Sequence, residues 1–288
     1  MAVVLALGAA IGWGASDYFG GDASRRDTSV FAVVALAELI GVVALVPVLI
    51  AHGGSAPTNP RLLLAAVAGI AVTGELSLIY RALRRGLAFI TAPTGALGTA
   101  AAVTIGLIGG NPLTLPLAMG LLCALVGSAI SAWTSPSGGT GAGDAWHAAA
   151  ICIAAAAAVG TMLTTLHAAG RLDPYWATGT EHAATGLSAG LSALIARRRR
   201  SALRILPHPP ELPRLGLIAA VGLGGDLAYA SAAHHGGSLA VVSALAALYP
   251  LTTLVLGSLL RGQHATTIQR LGIILALGGG ALLAASAS

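Results

Sequence analysis

Five carboxylates stand inside otherwise apolar stretches of this sequence: Asp17, Glu38, Glu75, Glu181 and Asp226. An ionisable side chain in a bilayer costs roughly 2.5–3.5 kcal/mol on insertion scales, so each one calls for a reason. Desolvation favours the uncharged form of a carboxylic acid, and a group poised between its two states can take up a proton or hold the amine of a substrate. Trp13 precedes Asp17 by four residues and Tyr229 follows Asp226 by three, so on helices each ring shares a face with its acid. A ring face is a seat for a cationic or amphipathic molecule. These seven residues are the expected substrate-binding set. The alternative is structural: acids held neutral or hydrogen-bonded between helices, and rings that belong to packing or to an interfacial belt.

Catalytic chemistry finds less support. Ser16-Asp17 has no histidine partner at a recognisable spacing, and neither a nucleotide-binding loop nor a His-Glu-x-x-His helix occurs. His182 beside Glu181 and the pair His234-His235 are the nearest approach to metal ligands. Adjacent residues point about 100° apart on a helix, and no further ligand cluster is evident, so neither a metal nor a cofactor is expected. A membrane-embedded enzyme and a non-transporting membrane scaffold are the alternatives to a transporter.

The elements that must position these acids are legible in the composition. Of 288 residues, 56% are hydrophobic and 9% charged, against about a quarter charged in an ordinary soluble domain. The 39 glycines and the 4% aromatic content suit helices packed closely in lipid. Apolar segments fall near 2–20, 29–51, 61–83, 87–108, 113–134, 146–168, 174–196, 214–234, 238–260 and 266–286. Each is long enough to cross a core of about 30 Å. The seventh is the most polar, with Glu181, His182 and several Thr and Ser. The expected fold is an all-α membrane protein of ten transmembrane helices. The first apolar segment reads as a membrane helix rather than a cleavable leader, since no basic n-region precedes it.

A Gly/Ser-rich stretch, Thr134 to Asp144, divides the segments five and five, giving residues 1–134, a linker at 135–145 and residues 146–288. A shift of 151 lays Gly74-Glu75-Leu76 on Gly225-Asp226-Leu227 and matches Leu97 with Leu248. A shift of 152 matches Gly120, Ala124, Leu125 and Gly127 with Gly272, Ala276, Leu277 and Gly279. An odd number of segments per repeat makes the second enter from the opposite side, so the two five-helix repeats are expected to be inverted. The repeat pairs Glu75 with Asp226 and, less closely, Glu38 with Glu181.

Several short motifs follow one another in a recognisable order: Gly12-Trp13-Gly14-Ala15-Ser16-Asp17 in the first segment with Ser24-Arg25-Arg26 after it, Tyr80-Arg81-Ala82-Leu83 closing the third, and Leu248-Tyr249-Pro250-Leu251 in the ninth. In these the chain resembles the drug/metabolite transporter superfamily, in its ten-helix EamA-type branch, over essentially its full length. The resemblance implies a secondary transporter of small metabolites or drug-like compounds in a bacterial inner or plasma membrane, with both termini cytoplasmic. Many members carry Gly-Glu-Arg in the loops after segments four and nine. This chain has Gly110-Asn111-Pro112 and Gly262-Gln263-His264 there, so no role for those glutamates carries over.

The arginines argue for a different orientation. Alternating the loops puts thirteen on one side (Arg25, Arg26, Arg81, Arg84, Arg85, Arg197 to Arg200, Arg204, Arg214, Arg261 and Arg270) and only Arg61 and Arg171 on the other. The positive-inside rule makes the first side cytoplasmic and both termini external. The same distribution reads as a topology signal and not as a nucleic-acid patch, despite a pI near 9.9. Pro93 and Pro250 fall inside segments and are candidate hinges, while Pro47 and Pro116 are further kink positions. Gly8-xxx-Gly12, Gly186-xxx-Gly190 and Gly216-xxx-Ala220-xxx-Gly224 offer close helix contacts within or between chains, compatible with a monomer or a homodimer. Cys123 and Cys152 read as free thiols. The expected partners are a small-molecule substrate, the bilayer and protons.

Overall fold

The computed structural model describes residues 1–23, 29–53, 55–84, 91–110, 113–131, 142–199, 212–262 and 265–286. Ser24-Arg25-Arg26, Asn111-Pro112, Gln263-His264, Arg85, Arg200, Arg204 and most of the linker lie outside these residues. Regular structure among the described residues is helical throughout: α1 (Ala2–Ala23), α2 (Val30–His52), α3 (Leu63–Arg84, preceded by a 3-10 turn at Pro60–Leu62), α4 (Thr91–Ile108), α5 (Leu115–Ser131), α6 (Ala142–Gly170), α7 (Pro174–Arg199), α8 (Leu212–His234), α9 (Leu239–Ala246), α10 (Tyr249–Arg261) and α11 (Thr267–Ser286). The segments read from sequence are recovered with two differences. First, α6 begins at Ala142, so the linker ends earlier than 145. Second, the ninth segment is two helices, α9 and α10, separated at Ala247-Leu248.

That break has a local cause. Pro250 carries no N–H, so it cannot donate to the carbonyl one turn back, and it is accommodated in the first turn of α10, where no such bond is required. The Ala247 carbonyl freed by the interruption accepts from Ser128 Oγ of α5. Pro93 likewise lies in the first turn of α4, and among the described residues only Pro47 sits in a helix interior. Pro93 and Pro250 therefore open helices instead of kinking them.

Seven helical stretches are long and apolar enough to cross a membrane: Ala2–Gly20, Val30–His52, Pro60–Ile79, Trp146–Gly170, Leu212–His234, Leu239–Arg261 and Thr267–Ser286. Thr94–Ile108 and Leu115–Ser131 are apolar but shorter. In α7 length suffices and composition does not, because Thr178, Glu181, His182, Thr185, Ser188 and Ser192 run along it toward its arginines. Large apolar side chains face outward, with Val43, Ile50, Leu115, Leu187 and Leu259 each at least 70% exposed. Such a surface is at rest in lipid, where helices satisfy every backbone group internally.

The helices pack in pairs: α5 on α11, α1 on α8, α3 on α6, α2 on α7, α4 on α6, α1 on α10 and α4 on α9. Exchanging the first five segments for the last five turns the α1–α8 pair into α6–α3 and the α4–α6 pair into one between α1 and the α9–α10 segment. It leaves α2–α7, α5–α11 and the α4–α9 pairing in place. At α5–α11 the close approach uses the small residues that the repeat aligns. A Cβ at Gly127 would lie 2.7 Å from Ala276 Cα, and one at Gly279 would lie 2.8 Å from Ala124 Cα. Gly12 meets Gly225 equally closely between α1 and α8, and Gly186 and Gly190 lie along α2. Gly216 and Gly224 face open space, so that stripe makes no contact within the chain.

Candidate functional site

The polar residues of α7 recur at positions 178, 181, 182, 185 and 188, a spacing that holds them on one buried stripe. Thr185 Oγ1 donates to Glu181 Oε1 at 2.7 Å. One turn on, Ser188 Oγ and Thr73 Oγ1 of α3 share a hydrogen bond of 2.8 Å. His182 is 1% exposed and sits where α2, α7 and α8 converge. Its Nδ1 pairs with Glu38 Oε2 of α2, and its Nε2 lies 3.2 Å from Asp226 Oδ2 of α8 and 3.8 Å from Glu181 Oε2. Gly41 of α2 makes room for the ring, since a Cβ there would stand 2.9 Å from His182 Nδ1. The second Asp226 oxygen, Oδ1, accepts from Trp13 Nε1 of α1 at 2.8 Å.

A cavity of about 360 Å³ lies over this cluster. Trp13, Asp17, Glu38, Glu75, Glu181 and Asp226 all line it, with Tyr249 and the apolar Val30, Val33, Leu76, Met162 and Ile218. An adjoining hollow of about 310 Å³ shares Asp17 and Tyr249 and reaches Pro250 and Gln269. The lining comes from the halves of α1, α2, α3 and α8 nearest the connections at 24–29, 85–90 and 200–211. The opposite halves are closed by packed apolar residues, among them Ala6, Ala9, Ala65, Ala68, Leu163, Leu166, Ala232 and Leu239. Packed apolar side chains thus close the bundle on that side of the cavity.

Six of the seven expected binding residues therefore share one wall system. Tyr229 does not reach the cavity. It is fully buried behind Trp13 at 5.2 Å between ring centroids, its hydroxyl donating to the Leu163 carbonyl and meeting Ser243 Oγ at 2.8 Å. Repeat-equivalent acids are not neighbours in every case. Glu38 and Glu181 meet through His182, whereas Asp226 joins that cluster and Glu75 lies elsewhere on the cavity wall. His182, weighed from the sequence only as a metal ligand, is the residue on which the acids converge. Its flanking Glu181 was the visible signal, but its other two partners come from helices 144 positions earlier and 44 later. Glu38, Glu181 and His182 bring possible metal-ligand atoms within 4.8 Å of one another, a grouping that sequence adjacency did not foreshadow. Pro250 opens α10 at the floor of the adjoining hollow.

None of the curated proteins matches the chain. A solved crystal structure is similar to it with a TM-score of 0.74 at 18% identity, over 98% of this chain and 95% of that one, a likeness of fold. Residues 145–285 match a model of the EamA-like transporter family. Its second half is thus similar to the EamA-like transporter family, and with its apolar helical segments the chain is a multi-pass membrane protein.

Proposed function

We propose that this protein is a secondary transporter, and specifically an exporter, that moves small metabolites by alternating access around the acid-lined cavity. Amino acids, amines and drug-like compounds are the candidate cargo. The observation that carries the reading is the convergence of Trp13, Asp17, Glu38, Glu75, Glu181 and Asp226, drawn from five helices of both halves, on one cavity closed on one side by packed apolar side chains. Ten membrane segments arranged as inverted five-segment repeats fit the exchange symmetry of the packing pairs, and such repeats build midplane sites in many secondary transporters. The interrupted α9–α10 segment is of the kind that lines such sites.

Proton coupling follows from the acids. A transporter whose binding carboxylates alternate between protonated and ionised forms links substrate release to proton uptake. The thirteen-arginine end is assigned to the cytoplasm and both termini to the outside. The test is uptake and efflux in proteoliposomes across amino acids and amines, with and without a pH gradient. Gradient-dependent movement of at least one class is expected, and flux of every solute equal to that of empty vesicles refutes the reading.

A further inference from the structure

The cluster around His182 is a cage built for a cation. Three carboxylates from three helices, Glu38, Glu181 and Asp226, surround a single imidazole. An imidazole nitrogen that faces an acceptor must be a donor, and the neutral ring has only one N–H. With Glu38 facing Nδ1 and Asp226 facing Nε2 at ion-pair range, the ring answers both as the doubly protonated cation, or else one carboxyl carries the proton itself. In both cases the cage holds a proton that neutral imidazole among three carboxylates would not.

The four groups are not equally accessible. Side chains of Glu38 and Asp226 are 20% and 15% exposed and line the cavity, Glu181 reaches the same lining at only 4%, and His182 lies behind them at 1%. Glu181 Oε2 accepts no hydrogen bond among the described residues. A positive group entering from the cavity therefore meets the same two carboxylates that His182 engages from behind. The rest of the described lining offers two more acids, Asp17 and Glu75, apolar side chains and the Trp13 and Tyr249 rings, but neither lysine nor arginine. Among the described lining residues a substrate carboxylate would find only like charges, which is costly to bury.

Resting on the transporter reading above, we propose that the Glu38–Glu181–Asp226 cage is a cation-exchange site, in which the ammonium group of an organic amine lacking a carboxylate replaces the proton shared with His182. The step balances as one ammonium bound and one proton released to solvent, with His182 left neutral and no covalent bond changed. Groups facing His182 are Glu38 from α2, its own neighbour Glu181 and Asp226 from α8, the last fixed by Trp13 of α1.

The test is calorimetric titration of the purified full-length protein in detergent near neutral pH, in two buffers of different ionisation enthalpy, with phenethylamine and phenylalanine as probes that differ by one carboxylate. Expected are binding of phenethylamine with close to one proton released, and phenylalanine weaker by at least about tenfold. H182Q should change the number of protons released by phenethylamine and their pH dependence, an unchanged release overturning the part given to His182, and D226N should lose most of the affinity. Thermal melting of both variants separates loss of folding from loss of the site. Equal affinity for the two probes, binding without proton release in the native chain, or no binding of phenethylamine at millimolar concentration overturns the exchange site. Flux of some other solute under a pH gradient would then leave the transporter reading standing, whereas no flux of any solute removes both.

Discussion

Trp13 Nε1 donates to Asp226 Oδ1 at 2.8 Å, tying α1 to α8 across 213 positions of sequence. The bond fixes which Asp226 oxygen remains for His182, so the first helix sets the geometry of a cage to which it contributes no charge. Trp13→Phe keeps the ring against Tyr229 and removes the donor. A hydrogen bond to a charged group is worth about 1.5–3 kcal/mol, so substrate affinity should fall roughly ten- to hundredfold. Equilibrium binding measures it, and an unchanged Kd would show that the cage holds its shape without Trp13.

Glu75 and Asp226 occupy aligned positions in the two repeats and separate places on the cavity wall. Glu75→Gln and Asp226→Asn keep side-chain size and remove the ionisable oxygen. Both should abolish transport while membrane insertion, followed by quantitative blotting of the membrane fraction, stays at the native level. Full activity in both variants would return these acids to a structural role.

Much of this architecture is legible in the sequence because the bilayer imposes a length on each apolar run, and the segments read that way are the helices observed. Two features escaped. The α9–α10 interruption has its local cause in Pro250, but the partner that the freed Ala247 carbonyl finds, Ser128 of α5, is a tertiary event that no run length encodes. The convergence on His182 escaped because local spacing sees only its own helix, while Glu38 and Asp226 reach it from α2 and α8. Tyr229 was read as a binding residue from its position three after Asp226, yet the Trp13 ring lies between it and the cavity.

Small residues govern the α5–α11 contact. A leucine at Gly127 or Gly279 would force the helices apart, because even a Cβ there lies within 2.8 Å of backbone carbon on the partner. Overpacking of this kind costs typically about 1–3 kcal/mol. Gly127→Leu and Gly279→Leu should each lower Tm in detergent by several degrees, and Gly216→Leu, which faces open space, should not. Equal Tm values for all three would mean that the contact yields without cost.

The proposed orientation, with both termini outside, rests on the thirteen-to-two division of arginines. A C-terminal fusion to alkaline phosphatase should be active and the matching fluorescent-protein fusion dark. A bright fluorescent fusion with an inactive phosphatase would reverse the orientation.

The interruption before Pro250 is placed to serve as a hinge, since α10 begins where the two hollows meet at Ala247 and Tyr249. Alanine at 250 restores an N–H for the Ala246 carbonyl and lets the chain run on from α9 as a continuous helix, in which Ser128 competes with the Leu251 N–H for the Ala247 carbonyl. Binding residues on α1, α2, α7 and α8 are untouched by this change. Pro250→Ala should therefore slow turnover several-fold while substrate Kd stays within about twofold of native, a split that a loss of binding geometry would not produce. Ser128→Ala leaves the Ala247 carbonyl without its hydroxyl partner and should destabilise the fold by about 1–3 kcal/mol. Flux and equilibrium binding measured on the same preparations separate the two effects, and parallel losses in turnover and affinity for Pro250→Ala would assign the break to site structure in place of motion.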